Sequence, residues 1–405
     1  MFNFEVVKTD MNRRDNFLTI QGQTNPYPFL IDVDYAKGIY IYDKSGKAYM
    51  DMISGVAVNN IGHNHPHIVE ALKQQIDKHL HVMVYGEFIQ DSQLVFAQKL
   101  SALLPTPLDC VYTVNSGTEA NEAALKLAKR ITGRSELVAC IGAYHGSTHG
   151  SLSVSSNESK KSPFRPLLPG IRFIRHNSLE DLELITERTA GVIIEPVQGD
   201  AGVRIASAEY LEKLRDRCTE TGAQLIFDEI QCGMGRTGKL FAFEHSGIIP
   251  DILTLGKALG GGMPIGAFVS SNEKMKQLSF DPMLGHITTF GGHPVVCAAG
   301  AACLDVLTEE VDYLEVEAKG KKLEELLSRH RAVQSIRRIG LMFAIDMESD
   351  VIVTKIVEQC LEDGLITFWF LSHPYSFRLS PPLTISWEEI QQAGEVILKA
   401  MDNLP

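Results

Sequence analysis

The chain has 405 residues, with 38 Lys and Arg against 50 Asp and Glu, a formal charge of −12, and 44% hydrophobic residues. This is the make-up of a soluble globular protein of about two or three domains, or one large layered one, and its acidity speaks against a sequence-independent grip on nucleic acid or anionic membrane. The seven cysteines, at 110, 140, 218, 232, 297, 303 and 360, lack CxxC spacing and mostly sit in apolar runs such as "VVCAAGAACL". That argues against a disulfide framework and for a reducing, cytoplasmic setting. The start, "MFNFEVVKTDMNRRDNF", has no apolar leader core, and no stretch approaches membrane-spanning length.

In chain order, "GIYIYDKSGKAYMDM" alternates like a hairpin around Lys44-Ser45-Gly46, and "HIVEALKQQIDKHL" has helical periodicity through Ile68, Leu72, Ile76 and Leu80. From about 110 to 272, seven apolar runs read as strands: "CVYTV", "ELVACI", "IRFI", "AGVIIEP", "AQLIFDE", "DILTLG" and "GAFVSS". Helices are predicted between them at 118–132 and 207–221, the second starting at Ser207 and ending before Gly222. Continuous apolar strands alternating with helices imply a mostly parallel sheet covered on both faces. After "TTFGGHPVVCAAGAACLDVL" the pattern changes to a charged helix (317–330), a strand "SIRRIGLMFAIDM", a helix at 351–363 and a last helix at 387–402, which read as a smaller α+β domain.

Ligands of open α/β sheets bind at the carboxyl ends of the strands, so chemistry is sought there. "CVYTVNSGTEANEAALKLAKRIT" passes from strand through Asn115-Ser116-Gly117-Thr118 into an amphipathic helix, which places amides and hydroxyls at a helix N-terminus suited to an anion. Taken alone, the same junction is also an ordinary Ser/Thr cap. "AQLIFDEIQCG" ends in Asp228 and Glu229, and "GVIIEPVQGDAG" brings Glu195 and Asp200 to another strand end. "GAYHGSTHG" adds an aromatic ring and two imidazoles, and "TLGKALGGG" sets Lys257 on a loosened loop. A phosphate cradle, an aromatic face, an acid for a ring nitrogen and a lysine are together the parts of a pyridoxal phosphate site.

The ordered set "NSGTEANE", "YHG", "IIEPVQGDAGV", "FDEIQCGMGRTG", "TLGKALGGGMPIGA" and "TTFGGHP" resembles the class III, fold type I pyridoxal phosphate aminotransferases, with acetylornithine and ornithine aminotransferases most similar in pattern. The resemblance covers nearly the whole chain. It implies an α/β fold with a mostly parallel seven-stranded sheet in a large domain (49–295), a smaller α+β domain (296–405), and an N-terminal segment (1–48) joined to the latter. It also implies ping-pong transamination from an ornithine- or acetylornithine-like amino acid or amine to a 2-oxo acid, in a homodimer with shared sites.

Residue by residue, the resemblance makes Lys257 the Schiff-base lysine and Asp228 the partner of the pyridine nitrogen. Gln231 falls to the ring's 3-oxygen, Ser116, Gly117 and Thr118 to the phosphate, and Tyr144 to the ring face. Glu195 completes the expected cofactor pocket, and Thr289 matches a threonine lent to the partner subunit's phosphate. Arg378 in "FRLSPPL" matches the arginine that clamps the α-carboxylate, with Ser147, Asp200, Tyr85 and Thr288 around the substrate. Two positions depart from the family pattern. Ser147 stands where an arginine usually grips a second carboxylate, and Asp200 stands where a glutamate usually pairs with the clamping arginine. His293 also replaces a usual Asn, and Glu87 is offered near the pocket mouth.

Other readings are carried beside this one. A mutase or decarboxylase of the same fold needs the same cofactor site. "GMGRTG" is a literal GxGxxG that would suit a nucleotide-dependent oxidoreductase, but no amphipathic helix follows it. "GHNHPH" alternates His63, His65 and His67 without the helical spacing or acid-rich loop of a metal site, so no metal is expected.

Overall fold

A computed structural model describes residues 12–404; the stretch searched for a leader lies, through residue 11, outside the described residues. The seven predicted strands form one sheet: β1 (Cys110–Val114), β2 (Glu136–Cys140), β3 (Ile171–Ile174), β4 (Thr189–Ile194), β5 (Gln224–Asp228), β6 (Ile252–Leu255) and β7 (Gly266–Ser270). Their spatial order is β1-β7-β6-β5-β4-β2-β3, and within this sheet β7 alone is antiparallel to its neighbours. The strands read as unbroken apolar runs because both faces are covered. Val192, Ile194, Leu225 and Phe227 enter the core on one side, while Ile193 and Ile226 enter the core on the other.

The helix Gly117–Thr132 follows β1 and packs Ala120, Ala124 and Leu127 against the second core. Ser116 is extended and accepts the Glu119 N–H at 3.3 Å, and Gly133 closes the far end at φ 67°. Such a cap stabilises the helix by about 1 kcal/mol and fixes where its free amides point. The helix Ala208–Thr221 begins and ends on its predicted Ser207 and Gly222. A further helix, Pro294–Glu309, has no counterpart among the predicted elements. It is buried almost all round, from Val295 through Leu307, so no polar face marks a 3.6-residue period.

Among the described residues two four-stranded sheets accompany this body, along with a two-stranded ribbon of Val197–Gln198 and Arg204–Ile205. The predicted hairpin is present, with Tyr40–Asp43 antiparallel to Ala48–Asp51, and the chain end returns as Leu365–Ile366 parallel to the latter. The stretch read as one strand over 335–347 is instead a hairpin of Ser335–Ile339 and Met342–Asp346, turned at Gly340 with φ 55°. Ser376–Leu379 and Phe368–Trp369 complete that sheet, backed by helices Tyr313–Leu327, Asp350–Glu362 and Trp387–Asp402.

The "GMGRTG" loop is what this hairpin turn presses on: a Cβ at Gly340 would lie 2.4 Å from the Thr237 carbonyl carbon. Arg236 is fully buried and donates to Leu341 O at 3.0 Å, Pro381 O at 2.6 Å and Asn60 Oδ1. The glycines of this motif therefore serve a packed junction, and a single-turn helix (Ala242–His245) follows in place of a dinucleotide-binding one. Arg236→Met is expected to lower unfolding free energy by about 3 kcal/mol or more, because it strands three buried acceptors. Urea unfolding reads this directly, and a loss below about 1 kcal/mol would show that the guanidinium does not tie these layers together.

Candidate active site

β6 stops at Leu255, Gly256 is fully extended, and Lys257 adopts φ 46°. A left-handed lysine costs about 1 kcal/mol or more and persists only where its surroundings hold it. They do so by close approach. A Cβ on Gly256 would sit 3.2 Å from Gly117 Cα, and one on Gly117 would sit 2.8 Å from the Ile230 side chain. The lysine loop thus rests against the first turn of the helix Gly117–Thr132. Burial lowers the Lys257 pKa below the usual lysine value, against the opposing pull of Asp228 and Glu195 and with some help from Arg378. An amine eased toward its neutral form is the form that attacks a carbonyl.

Asp228, at the end of β5, is 4% exposed. Its Oδ2 accepts from Asn121 Nδ2 at 2.8 Å and is bonded to His145 Nδ1 at 2.7 Å, while Oδ1 accepts the Ile230 N–H at 3.0 Å. Asn121 is itself fixed: Thr254 Oγ1 donates to its Oδ1 at 2.8 Å, and its Nδ2 also donates to the His145 carbonyl at 2.8 Å. Glu195 follows β4 and accepts the Tyr144 and Gly199 N–H groups at 3.1 and 2.9 Å. Burial pushes its carboxyl up to about 7, with His145 opposing and Asp228 adding to the shift. Glu229 points the other way and receives the Ala242 and Phe243 N–H groups at 2.6 and 2.7 Å, a structural cap.

Around this cluster, Thr118 Oγ1 lies 2.6 Å from Ser151 Oγ and 2.9 Å from Thr148 Oγ1, beside the open helix amides. Gln231 packs on the backbone of Gly199, where a Cβ would fall 2.2 Å from its Oε1. Tyr144 is 37% exposed, and its phenol lies 3.1 Å from Ser147 Oγ. Arg378 arrives from strand Ser376–Leu379 of the C-terminal sheet and is buried. Its Nη2 donates to Asp200 Oδ1 at 3.3 Å, its Nε donates to Trp369 O at 3.1 Å, and the guanidinium stacks 4.4 Å from the Phe370 ring centre. The shorter acid therefore still reaches the arginine. Asp200 is also held by the Leu371 N–H at 3.0 Å and the Ser372 hydroxyl at 2.7 Å.

Three of the predicted residues lie elsewhere in the chain. Tyr85 and Thr288 share a separate cavity of about 390 Å³ against the β1 edge, and Thr289 is exposed beside it. Glu87 is also exposed. His293 caps the helix Pro294–Glu309, its Nδ1 accepting the Val295 N–H at 3.3 Å. His63, His65 and His67 face three different acids, Asp51, Glu310 and Asp305, and among the described residues no His, Cys, Asp and Glu group could hold a metal. The sequence offers His145 as one of two imidazoles after a strand but assigns it no role, and it does not single out Asn121 or Ser372. Asn121 carries a signal of its own, as a polar residue beside the alanines of an otherwise apolar helix face.

The donor set fits pyridoxal phosphate: helix N-terminal amides and hydroxyls for a phosphate, a primary amine, and a buried carboxylate whose Oδ1 has one N–H partner. Among the described residues all seven cysteines are free, and no helix is long and apolar enough to cross a membrane.

Residues 22–401 match the family model "Aminotransferase class-III". The chain is 40% identical over 379 residues to the acetylornithine aminotransferase of Methanocaldococcus jannaschii, covering 91% of this chain and 92% of that protein. It is 36% identical to the [LysW]-aminoadipate semialdehyde/glutamate semialdehyde transaminase of Sulfolobus acidocaldarius, over 89% of this chain and 92% of that one. Among solved structures, the ornithine aminotransferase of Toxoplasma gondii superposes with a TM-score of 0.89 at 29% identity, covering 96% and 95% of the two chains. A fold carrying these side chains to one strand-end crevice, and matched along almost its whole length, leads to one assignment: the chain belongs to the class III aminotransferases and catalyses pyridoxal 5'-phosphate-dependent transamination.

Proposed function

We propose that the chain moves the terminal amino group of an ornithine- or acetylornithine-like amino acid to a 2-oxo acid. The observation that carries this reading is the buried Asp200–Arg378 pair. An arginine already covered by a carboxylate is a poor clamp for the carboxylate next to a reacting α-amine. It leaves the approach open to a donor whose amine lies at the far end of its chain. Uncovered, the same planar fork suits the 2-oxo acid of the return half-reaction.

When bound, the cofactor supplies an aldehyde for the amine and an electron sink for the adjacent carbon. Lys257 would hold the aldehyde and, once free, would be the base that carries a proton at the reacting centre. Asp228 holds a proton on the ring nitrogen, and His145 and Asn121 keep that carboxylate aimed. Ser116, Gly117 and Thr118 bind phosphate, Gln231 the ring oxygen and Tyr144 the ring face, with Glu195 behind it.

The active form is a cytoplasmic homodimer in which Thr289, Thr288 and Tyr85 serve the neighbouring subunit's site. Exposed apolar residues around them support this, among them Ile89 at 91% and Met283 at 78% exposure. The test is a panel of amines mixed with the yellow holoenzyme, each scored by loss of cofactor absorbance. Ornithine and N-acetylornithine should bleach it and simple α-amino acids should not. Equal bleaching by alanine would overturn the donor assignment.

A further inference from the structure

Ser147 carries no charge, and its hydroxyl is already engaged with the Tyr144 phenol at 3.1 Å. A cavity of about 340 Å³ opens beside this pair, lined among others by Tyr144, Ser147, His149, Asn157, Lys160 and Ser372. Its volume is at the small end of ligand pockets, room for a short-chain acid. No carboxylate lines it, and Lys160 is its one permanent cation.

Lys160 is half-buried, yet among the described residues its ammonium makes no hydrogen bond or ion pair. Its neighbour Lys161, by contrast, donates to Ser153 O at 3.1 Å and lies over the Phe173 ring. Burial lowers the Lys160 pKa, Asp200 opposes this, and Arg378 reinforces it, which places all three within one electrostatic neighbourhood. In that neighbourhood Asp200 is spent on Arg378, Leu371 and Ser372. Two cations then face one anion, and the imbalance sits on a side chain whose burial has no compensating partner. A bound anion removes the imbalance.

We propose that Lys160 binds the substrate carboxylate remote from the reacting carbon, taking over the charge that position 147 lacks and selecting dicarboxylic over monocarboxylic 2-oxo acids. This deepens the transamination reading and rests on it for the identity of the reacting centre. Ser372, which lines the cavity, bonds the Asp200 that pairs with Arg378, so a diacid held there would draw on both cations.

The experiment compares the holoenzyme with Lys160→Met and Lys160→Arg. With 2-oxoglutarate, Lys160→Met should raise KM about 10- to 100-fold, the range of a lost charge-assisted contact. The KM for pyruvate should stay within about twofold, and Lys160→Arg should restore the diacid preference. Calorimetry with two unreactive probes, glutarate and butyrate, reads the same site without turnover. Wild type should prefer glutarate, and Lys160→Met should lose that preference. Unchanged glutarate binding in Lys160→Met, or equal losses for both oxo acids, overturns the assignment. If the glutarate preference depends on Lys160 but none of the ω-amines reacts, the cation assignment stands and the donor reading fails.

Discussion

Lys257→Ala should abolish transamination, lowering the rate by about 10⁴-fold or more, because the proposed function gives this one side chain the parts of both nucleophile and proton carrier. The fold should be little affected. The strained φ of 46° belongs to the loop, and Gly256 against Gly117 holds that loop whatever follows. Lys257→Arg should be almost as inactive, since a guanidinium does not become the neutral base that a buried, pKa-lowered lysine can. Two readouts separate chemistry from folding. Borohydride treatment should fix the cofactor to the peptide containing residue 257 in wild type only, and a small exogenous amine should restore part of the proton transfer in Lys257→Ala. A Lys257→Ala chain that kept wild-type turnover would remove this lysine from the reaction.

Asp228→Asn is expected to cost about 10²- to 10⁴-fold in kcat. The amide keeps one acceptor, for the Ile230 N–H, while its NH2 takes the place of the oxygen that accepted from Asn121, so that one contact is lost and the backbone cap is kept. What disappears as well is the negative charge proposed to keep a proton on a ring nitrogen in a buried site, where an uncompensated cation is expensive. Asp228→Glu should recover part of the rate because it keeps the charge at a displaced position. Asn121→Leu should fall between the two, because it frees the carboxylate without neutralising it. Stopped-flow measurement of each half-reaction is the check. A loss confined to cofactor affinity, with the chemical steps unchanged, would reduce Asp228 to an anchor.

The sheet was legible because both its faces are covered, so seven strands stood out as apolar runs between capped helices, and Ser207 and Gly222 marked one helix to the residue. Where burial is complete the signal fails. Pro294–Glu309 shows no amphipathic period because it is buried on nearly every side from Val295 through Leu307. The hairpin at Gly340 read as one strand because alternation continues through a turn whose glycine answers to a loop a hundred residues earlier. At the site, Lys257 and Asp228 could be found at strand ends, whereas His145 and Asn121 owe their place to contacts across the sheet. Lys160 belongs to the same class, since a lysine on a short charged segment looks solvated until Ser372, from the far end of the chain, closes the cavity beside it.

The crevice draws on residues 116–121, 145, 195, 228, 257 and 378, carried by strand ends distant in sequence and by a second sheet. A nascent chain therefore owns no partial version of this pocket, and vitamin capture must wait until the carboxyl-terminal hairpins have docked. Yellow colour during refolding should consequently develop last, after helical circular dichroism is complete, and saturating cofactor should retard unfolding of the assembled body as a whole.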